Sequence, residues 1–412
     1  MKIAIFSDTT IEDINGVSTS INTLKTELEF EGHDIILVTS NDKLKSYFDG
    51  KVIKVPGKKL KKMYGYNVST PYHKKIIDTF KKLDVDIIHV HTEFGVGILG
   101  RFIAKKLKTP LVATYHTMYE DYTHYFNPRD LRIIEKGGKK AIKILSMRLY
   151  NNCDIIISPS LKTKNKLISY GVDANIRVVP TAIDVESFSD AKRDLIFERA
   201  IIEKFKLEDN LIFLFIGRVA KEKSLLHTIQ AFEFLIEKNP DLKSKFLIIG
   251  DGPELDELKR HVLGKDTFSK IYFLGKVPHE SVSAYYKIAD LFVASSLTET
   301  QGLTFNEALA AGLPLLVRTD DVIDAEDIEG FSWLFENEID FEEKVISYIK
   351  LNELEKSKIK KMCHNYASKY NVDIFSKEVL KVYNEAIKIN EIKNKKHKSK
   401  LQKTKNLIKK GI

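Results

Sequence analysis

Thr298-Glu299-Thr300-Gln301-Gly302-Leu303-Thr304-Phe305-Asn306-Glu307-Ala308 lies between an apolar run, Leu291-Phe292-Val293-Ala294, and a helical pattern opening near Leu303. This reads as a buried strand turning into a helix, the half-unit of a parallel α/β sheet. A glycine at such a turn lets backbone approach a ligand closely. The free N–H groups and the helix dipole there favour a phosphate. Glu299 falls on the loop and Glu307 in the helix, and carboxylates accept strong hydrogen bonds from sugar hydroxyls. A solvated loop glutamate and a helix-surface glutamate fit the same spacing.

Outward from this stretch the pattern repeats. Leu211–Ile216, Phe246–Ile249, Ile271–Leu274 and Leu315–Val317 are further short apolar runs, with helical stretches between several of them. Before Pro180 the same alternation occurs with Ile3–Phe6, Asp34–Val38, Asp86–Val90, Leu111–Thr114 and Asp154–Ile157. Two open parallel sheets with helices on both faces follow, and ligands bind such sheets at the carboxyl ends of their strands. The expected fold class is α/β with two Rossmann-like, doubly wound domains facing a central cleft. The expected boundaries are 1–180, 181–371, a helix over 372–388 returning to the first domain, and a basic flexible tail over 389–412.

The chain has 412 residues, 43% hydrophobic, enough for two packed cores and too apolar for a mainly disordered chain. No run reaches the roughly 18 apolar residues of a spanning helix, and the N-terminus reads as a strand rather than a signal peptide. Cys153 and Cys363 are too few for a disulfide scaffold or a four-ligand zinc site, so a reducing cytoplasm is the simplest reading. The net charge of +9 is uneven: +10 over residues 1–180, −10 over 181–387 and +9 over 388–412. Such asymmetry points to an anionic partner for the first half and the tail, although a lysine-rich composition alone also produces it. With no nucleic-acid motif and few aromatics in the tail, an anionic membrane surface is preferred over nucleic acid.

Further candidates sit at other strand ends. Gly217-Arg218-Val219-Ala220-Lys221-Glu222-Lys223-Ser224 places Arg218 and Lys223 where fixed cations could neutralise a diphosphate, or where a basic loop is merely exposed. His116, in Tyr115-His116-Thr117-Met118-Tyr119, is a lone histidine after a strand and is structural or catalytic. Asp84-Val85-Asp86 has the D-x-D spacing of metal-dependent transferases but opens an apolar strand, which favours a turn. There is no P-loop, and the first loop, Asp13-Ile14-Asn15-Gly16-Val17, is not a G-x-G-x-x-G fingerprint, so dinucleotide binding there has poor support. Lys58, Lys59, Lys61 and Lys62 next to Met63-Tyr64-Gly65-Tyr66 mix cations with aromatics, as interfacial segments do. Arg129, Arg132, Lys139, Lys140 and Lys143 lie in a basic amphipathic stretch that Gly137-Gly138 is expected to interrupt.

Together and in this order, these strings resemble the retaining, nucleotide-sugar-dependent glycosyltransferases of the GT-B fold, from Met1 to about Tyr383. Within that group His89–Gly95, Tyr115–Tyr125, Glu299–Thr304 and Val317–Val322 are most similar to the bacterial diacylglycerol glucosyltransferases. The resemblance implies an E-x7-E pair, with Glu299 on donor-sugar hydroxyls and Glu307 on the ribose. It implies a diphosphate clamp of Arg218 and Lys223, helped by backbone at Gly302, Leu303 and Thr304. Gly16 would approach the diphosphate, His116 the donor sugar, and the backbone at Val277 the base. The donor would be UDP-glucose and the acceptor the 3-hydroxyl of 1,2-diacylglycerol, with no metal or cofactor. Tyr119 and Tyr122 join the basic residues as acceptor or membrane candidates, and the location would be peripheral, on the cytoplasmic face of the cell membrane. UDP-galactose as donor, a glycolipid or polysaccharide as acceptor, and a catalytically silent membrane-binding protein stay open. The chain departs from the broad family at Asn15-Gly16-Val17 and Asp320-Asp321, where many members carry paired glycines.

Overall fold

Uninterrupted apolar runs form the strands here, because a parallel strand is covered on both faces. The computed structural model describes residues 1–10, 15–41, 46–59, 67–118, 132–296, 298–318 and 325–409. Two compact units are formed: Met1–Ala182 together with Val372–Ile412, and Ile183–Asn371.

The strands of the first unit are β1 (Lys2–Ser7), β2 (Asp34–Asn41), β3 (Tyr47–Phe48), β4 (Val52–Lys59), β5 (Asn67–Ser69), β6 (Ile87–Val90), β7 (Leu111–Thr114), β8 (Ile155–Ser158) and β9 (Asn175–Val178). Among the described residues they make one sheet in the order β3-β4-β2-β1-β6-β7-β8-β9, with β5 beside β4. All pairings are parallel except those of β3 and β5 with β4. The chain builds outward from β1 to β2 and β4, then crosses back to place β6 on the other side of β1. The crevice beyond Ser7 and Val90 is therefore the unit's topological switch point.

The helix Val372–Lys409 packs on this unit. Phe375, Val379, Val382, Tyr383 and Ala386 are buried, at the spacing of one helical face. A flexible tail was expected from residue 389, but the helix runs on to Lys409. Lys393 Nζ pairs with Asp154 Oδ1 at 2.8 Å and Asn394 Nδ2 donates to Lys108 O at 3.4 Å, which ties down the turns beyond Lys388. The helix Arg132–Tyr150 is likewise continuous through Gly137-Gly138, contrary to the expected break. Two helical glycines cost about 2 kcal/mol; burial of Ser146 and Tyr150 anchors the helix beyond them.

Among the described residues the second unit is all parallel: β10 (Leu211–Ile216), β11 (Ser244–Ile249), β12 (Ile271–Gly275), β13 (Leu291–Ala294), β14 (Leu315–Arg318) and β15 (Trp333–Phe335), in the order β12-β11-β10-β13-β14-β15. Its switch point lies between β10 and β13, which pair through Phe213–Leu291 and Leu214–Phe292. Phe213, Phe232, Phe246, Phe292, Phe335 and Phe341 fill its core.

Candidate active site

At the second unit's switch point, β10 ends in Gly217-Arg218 and leads to a single 3-10 turn, Lys221–Lys223. β13 ends in Ala294 and leads through Ser295 and Ser296 toward Glu299. The two loops are joined by an ion pair between Lys223 Nζ and Glu299 Oε1, with Glu299 buried. Beneath it, Thr228 Oγ1 donates to Ser295 Oγ at 2.8 Å, which ties the end of β13 to the helix Leu225–Lys238 that follows β10. Gly302 has φ +71° and caps the helix Leu303–Ala310. A Cβ there would sit 2.7 Å from the Phe305 ring, so both backbone and space require glycine.

Glu307 lies on that helix and accepts a 2.8 Å hydrogen bond from Tyr286 OH. Burial pushes its carboxyl up to about 7, against the lowering effect of the tyrosine bond. The tyrosine hydroxyl is itself pushed well above its ordinary value by burial and by Glu307, so it stays a donor. The expected E-x7-E pair is thus brought to one strand-to-helix turn, each carboxylate held by a different partner. Arg218 is half-buried at the end of β10, and Val277 follows β12, half-buried against the core.

In the first unit the switch point is polar and buried. Asp8, just past β1, accepts from Thr92 Oγ1 at 2.6 Å, Val96 N at 2.8 Å and Gly97 N at 3.3 Å. Its carboxyl is raised by burial despite these bonds. The helix Gly95–Leu107 can come this close because a Cβ at Gly97 would lie 1.9 Å from Thr92 O. His116, read from sequence as a lone histidine, is not alone. His91 Nδ1 lies 2.9 Å from His116 Nε2, and the His89 and His91 rings are 4.0 Å apart. His89 is bonded to Thr114 Oγ1 and to Tyr383 OH of the C-terminal helix, each at 2.7 Å. Desolvation lowers all three histidines, His89 to about 3 and His116 to about 4, so the cluster is neutral near pH 7.

Gly16 opens the helix Gly16–Phe30, capped by Asn15 Oδ1, which accepts from Val17 N and Ser18 N. Asp86, of the D-x-D spacing, accepts from Lys2 N at 2.7 Å, and Asp84 ends a helix with φ 48°. Both are turn residues, and among the described residues no group of three or more His, Cys, Asp or Glu side chains is placed to hold a metal ion. Lys58, Lys139, Lys140 and Lys143 are exposed, with Ile144 and Leu145 exposed beside the last three. Arg132 opens its helix and Lys59 ends β4; Lys61, Lys62, Tyr119, Tyr122 and Arg129 lie outside the described residues. Sequence reasoning missed Asp8, His91 and Tyr286, and also the exposed stripe Phe94, Ile98 and Phe102 at helical spacing. The i, i+4, i+8 apolar spacing was the available signal for that stripe.

The family model for Glycosyltransferase Family 4 matches residues 14–187, and that for Glycosyl transferases group 1 matches residues 197–369. The chain is 34% identical, over 96% of its length and 100% of the relative's, to an alpha-monoglucosyldiacylglycerol synthase of Acholeplasma laidlawii. The chain belongs to the group 1, family 4 glycosyltransferases. A second alpha-monoglucosyldiacylglycerol synthase, from Streptococcus pneumoniae, is 34% identical over 77% of this glycosyltransferase and 70% of the relative. Among solved structures, Anabaena HepE in complex with UDP-glucose has a TM-score of 0.71 at 14% identity, covering 93% of this chain and 99% of that one. An Escherichia coli trehalose-6-phosphate protein bound with UDP-2-fluoro glucose has a TM-score of 0.67 at 13% identity, covering 93% and 99%. These two likenesses establish the GT-B fold of this glycosyltransferase.

Proposed function

We propose that this glycosyltransferase moves glucose from UDP-glucose to the 3-hydroxyl of 1,2-diacylglycerol, with retention, at an anionic membrane surface on the cytoplasmic face. The observation that carries the reading is the joining of Lys223 to Glu299 at the switch point, one turn of chain before the Gly302-capped helix. A cation and a carboxylate so placed serve the two halves of one nucleotide sugar: Lys223 the diphosphate, Glu299 the sugar hydroxyls. Arg218 adds a second cation, and N–H groups at Leu303 and Thr304 add the helix dipole. Glu307 accepts from the ribose, backbone at Val277 holds the base, and Gly16 lets the first loop approach the diphosphate.

In the reaction, the bond from the anomeric carbon to the β-phosphate oxygen breaks and its electron pair goes to the phosphate. Arg218, Lys223 and the helix N-terminus stabilise that charge as it develops. The acceptor oxygen bonds to the anomeric carbon on the same face, and its proton passes to the departing phosphate oxygen. His116, neutral at the working pH, contacts the donor sugar.

The acceptor rests on the similarity to the two synthases, near full length for the Acholeplasma laidlawii one, and on the exposed basic-apolar face of Lys139, Lys140, Lys143, Ile144 and Leu145. Among the described residues no helix is long and apolar enough to cross a membrane. Peripheral docking through such a face supplies the contact instead, at about 1 kcal/mol per cation near an anionic surface. The test is transfer from radiolabelled UDP-glucose to diacylglycerol in mixed micelles with and without an anionic phospholipid. Monoglucosyl lipid that increases with anionic lipid is expected; UDP release with no lipid product refutes the acceptor.

A further inference from the structure

His91 is 2% exposed, and the reading of the site gives it no task. Its Nδ1 lies 2.9 Å from His116 Nε2. The two rings are nearly coplanar, 19° apart, with centroids separated by 5.1 Å. That is the geometry of two imidazoles joined edge to edge by an in-plane hydrogen bond, not of a face-to-face stack. One ring must donate and the other accept, since both are held neutral by burial.

The other edge of His91 settles the direction. His91 Nε2 is buried with no hydrogen-bond partner among the described residues. If His91 accepted at Nδ1, its proton would sit on Nε2 as an orphaned buried N–H. Orphaned buried donors are the costliest and rarest of unpaired groups, whereas a spare lone pair is better tolerated. The proton therefore belongs on Nδ1, and His91 donates to His116 Nε2. His116, neutral and accepting at Nε2, must carry its own proton on Nδ1. Among the described residues His116 Nδ1 has no partner, and the side chain is partly exposed. His89 holds His91 from turning: its ring lies against that of His91, and Thr114 and Tyr383 pin both its nitrogens.

We propose that His91 is a positioning residue that fixes His116 in the Nδ1–H tautomer, so that His116 offers its ligand an N–H donor and cannot act as a base there. The ligand group this suits is an oxygen acceptor, such as a sugar hydroxyl. That last step rests on the proposed placement of His116 at the donor sugar. The tautomer itself does not.

Two substitutions separate the roles. Asparagine can donate from its amide nitrogen near the position of the imidazole Nδ1, so His91→Asn keeps the donor. Aspartate can only accept, so His91→Asp forces the His116 proton onto Nε2. The measurement is the ring-nitrogen NMR spectrum of the full chain labelled in its 11 histidines, with His116 assigned by its absence in His116→Gln. The wild type and His91→Asn are expected to show His116 as Nδ1–H, and His91→Asp as Nε2–H. Turnover with UDP-glucose should fall about 100-fold in kcat in His91→Asp, the usual cost of one lost oxyanion-type donor. It should stay within about threefold in His91→Asn, with KM for the donor little changed in either. If His91→Asp does not fold, His91→Leu replaces it, with the same loss of kcat expected and the Nδ1–H preference lost. A wild-type His116 found as Nε2–H overturns the proposal. So does equal loss in His91→Asn and His91→Asp, which would make His91 a packing residue. An inverted tautomer with unchanged kcat leaves the hydrogen bond standing but overturns the donor role and, with it, the placement of His116 at the sugar.

Discussion

Glu307→Gln separates what Glu307 does for folding from what it does for the donor. Burial raises this carboxyl from its ordinary 4.5 to about 7. A raised acid stabilises the folded chain fully below pH 4.5, and that contribution is lost as pH rises through 7, because the folded state keeps a proton the unfolded state has released. At roughly 1.4 kcal/mol per pH unit, the gap corresponds to about 3 kcal/mol. Glutamine keeps an acceptor for Tyr286 and never ionises. At pH 8 the variant is therefore expected to be more stable than the wild type by up to about 3 kcal/mol, near pH 5 by about 1 kcal/mol, and below pH 4 by almost nothing. Donor binding should move the other way, since ribose hydroxyls bind the ionised carboxylate best. Wild-type affinity for UDP-glucose, measured by calorimetry without acceptor, should be level above about pH 8 and weaken toward tenfold per pH unit below about 7. UDP-glucose is the right ligand because it lacks the terminal phosphate ionisation of UDP, near pH 6. Glu307→Gln should bind more weakly at pH 8 and show no such slope. A wild-type affinity that is flat from pH 5.5 to 8.5, or a slope that persists in Glu307→Gln, would refute the assignment of Glu307 to the ribose.

Lys223→Met should lower kcat/KM for UDP-glucose by about 1,000-fold, the scale of a lost charge contact to a transferring phosphoryl group. Paired with Glu299→Gln in a double-mutant cycle of unfolding, it should show a coupling of about 1–3 kcal/mol; no coupling would contradict the ion pair. Gly302→Ala forces φ +71° and the Phe305 contact on a residue with a Cβ, and should cost about 2 kcal/mol in denaturant melts and raise the donor KM. Replacing Lys139, Lys140 and Lys143 by glutamine should weaken binding to anionic vesicles by about 100-fold, from roughly 1 kcal/mol per cation. Neutral vesicles and high salt should erase the difference, and binding unchanged at low salt would move the membrane contact elsewhere.

The central strands were legible because each is a continuous apolar run: Ile3–Phe6 in β1 and Leu211–Ile216 in β10. β4 was not, because Val-Ile-Lys-Val-Pro-Gly-Lys-Lys carries the charges and proline of a strand near the sheet edge. β9 alternates buried and exposed over four residues at the edge of the sheet, and β15 has three residues. Both are shorter than any window that resolves a period. At the site, position at strand ends marked Glu299, Glu307, Arg218, Lys223 and His116 as candidates with a structural alternative open, and the family resemblance supplied their roles. Neither could show that Lys223 reaches Glu299 across 76 residues, or that Tyr286 holds Glu307. Asp8 and His91 were passed over because a polar residue after a strand reads as a turn. Only the crossover from β4 back to β6 sets Asp8 against the N–H groups of Val96 and Gly97. Tyr383 is 294 residues from His89, a pairing that exists only because the last helix returns to the first unit.

The measurement closest to the central claim is the structure of the lipid made from UDP-glucose and diacylglycerol on anionic micelles, read by NMR at the anomeric proton. The expected product is an α-glucosyl group on the 3-oxygen of diacylglycerol from the wild type, and none from Glu299→Gln. A β-linked product, or lipid glucosylated equally well by Glu299→Gln, would contradict the account.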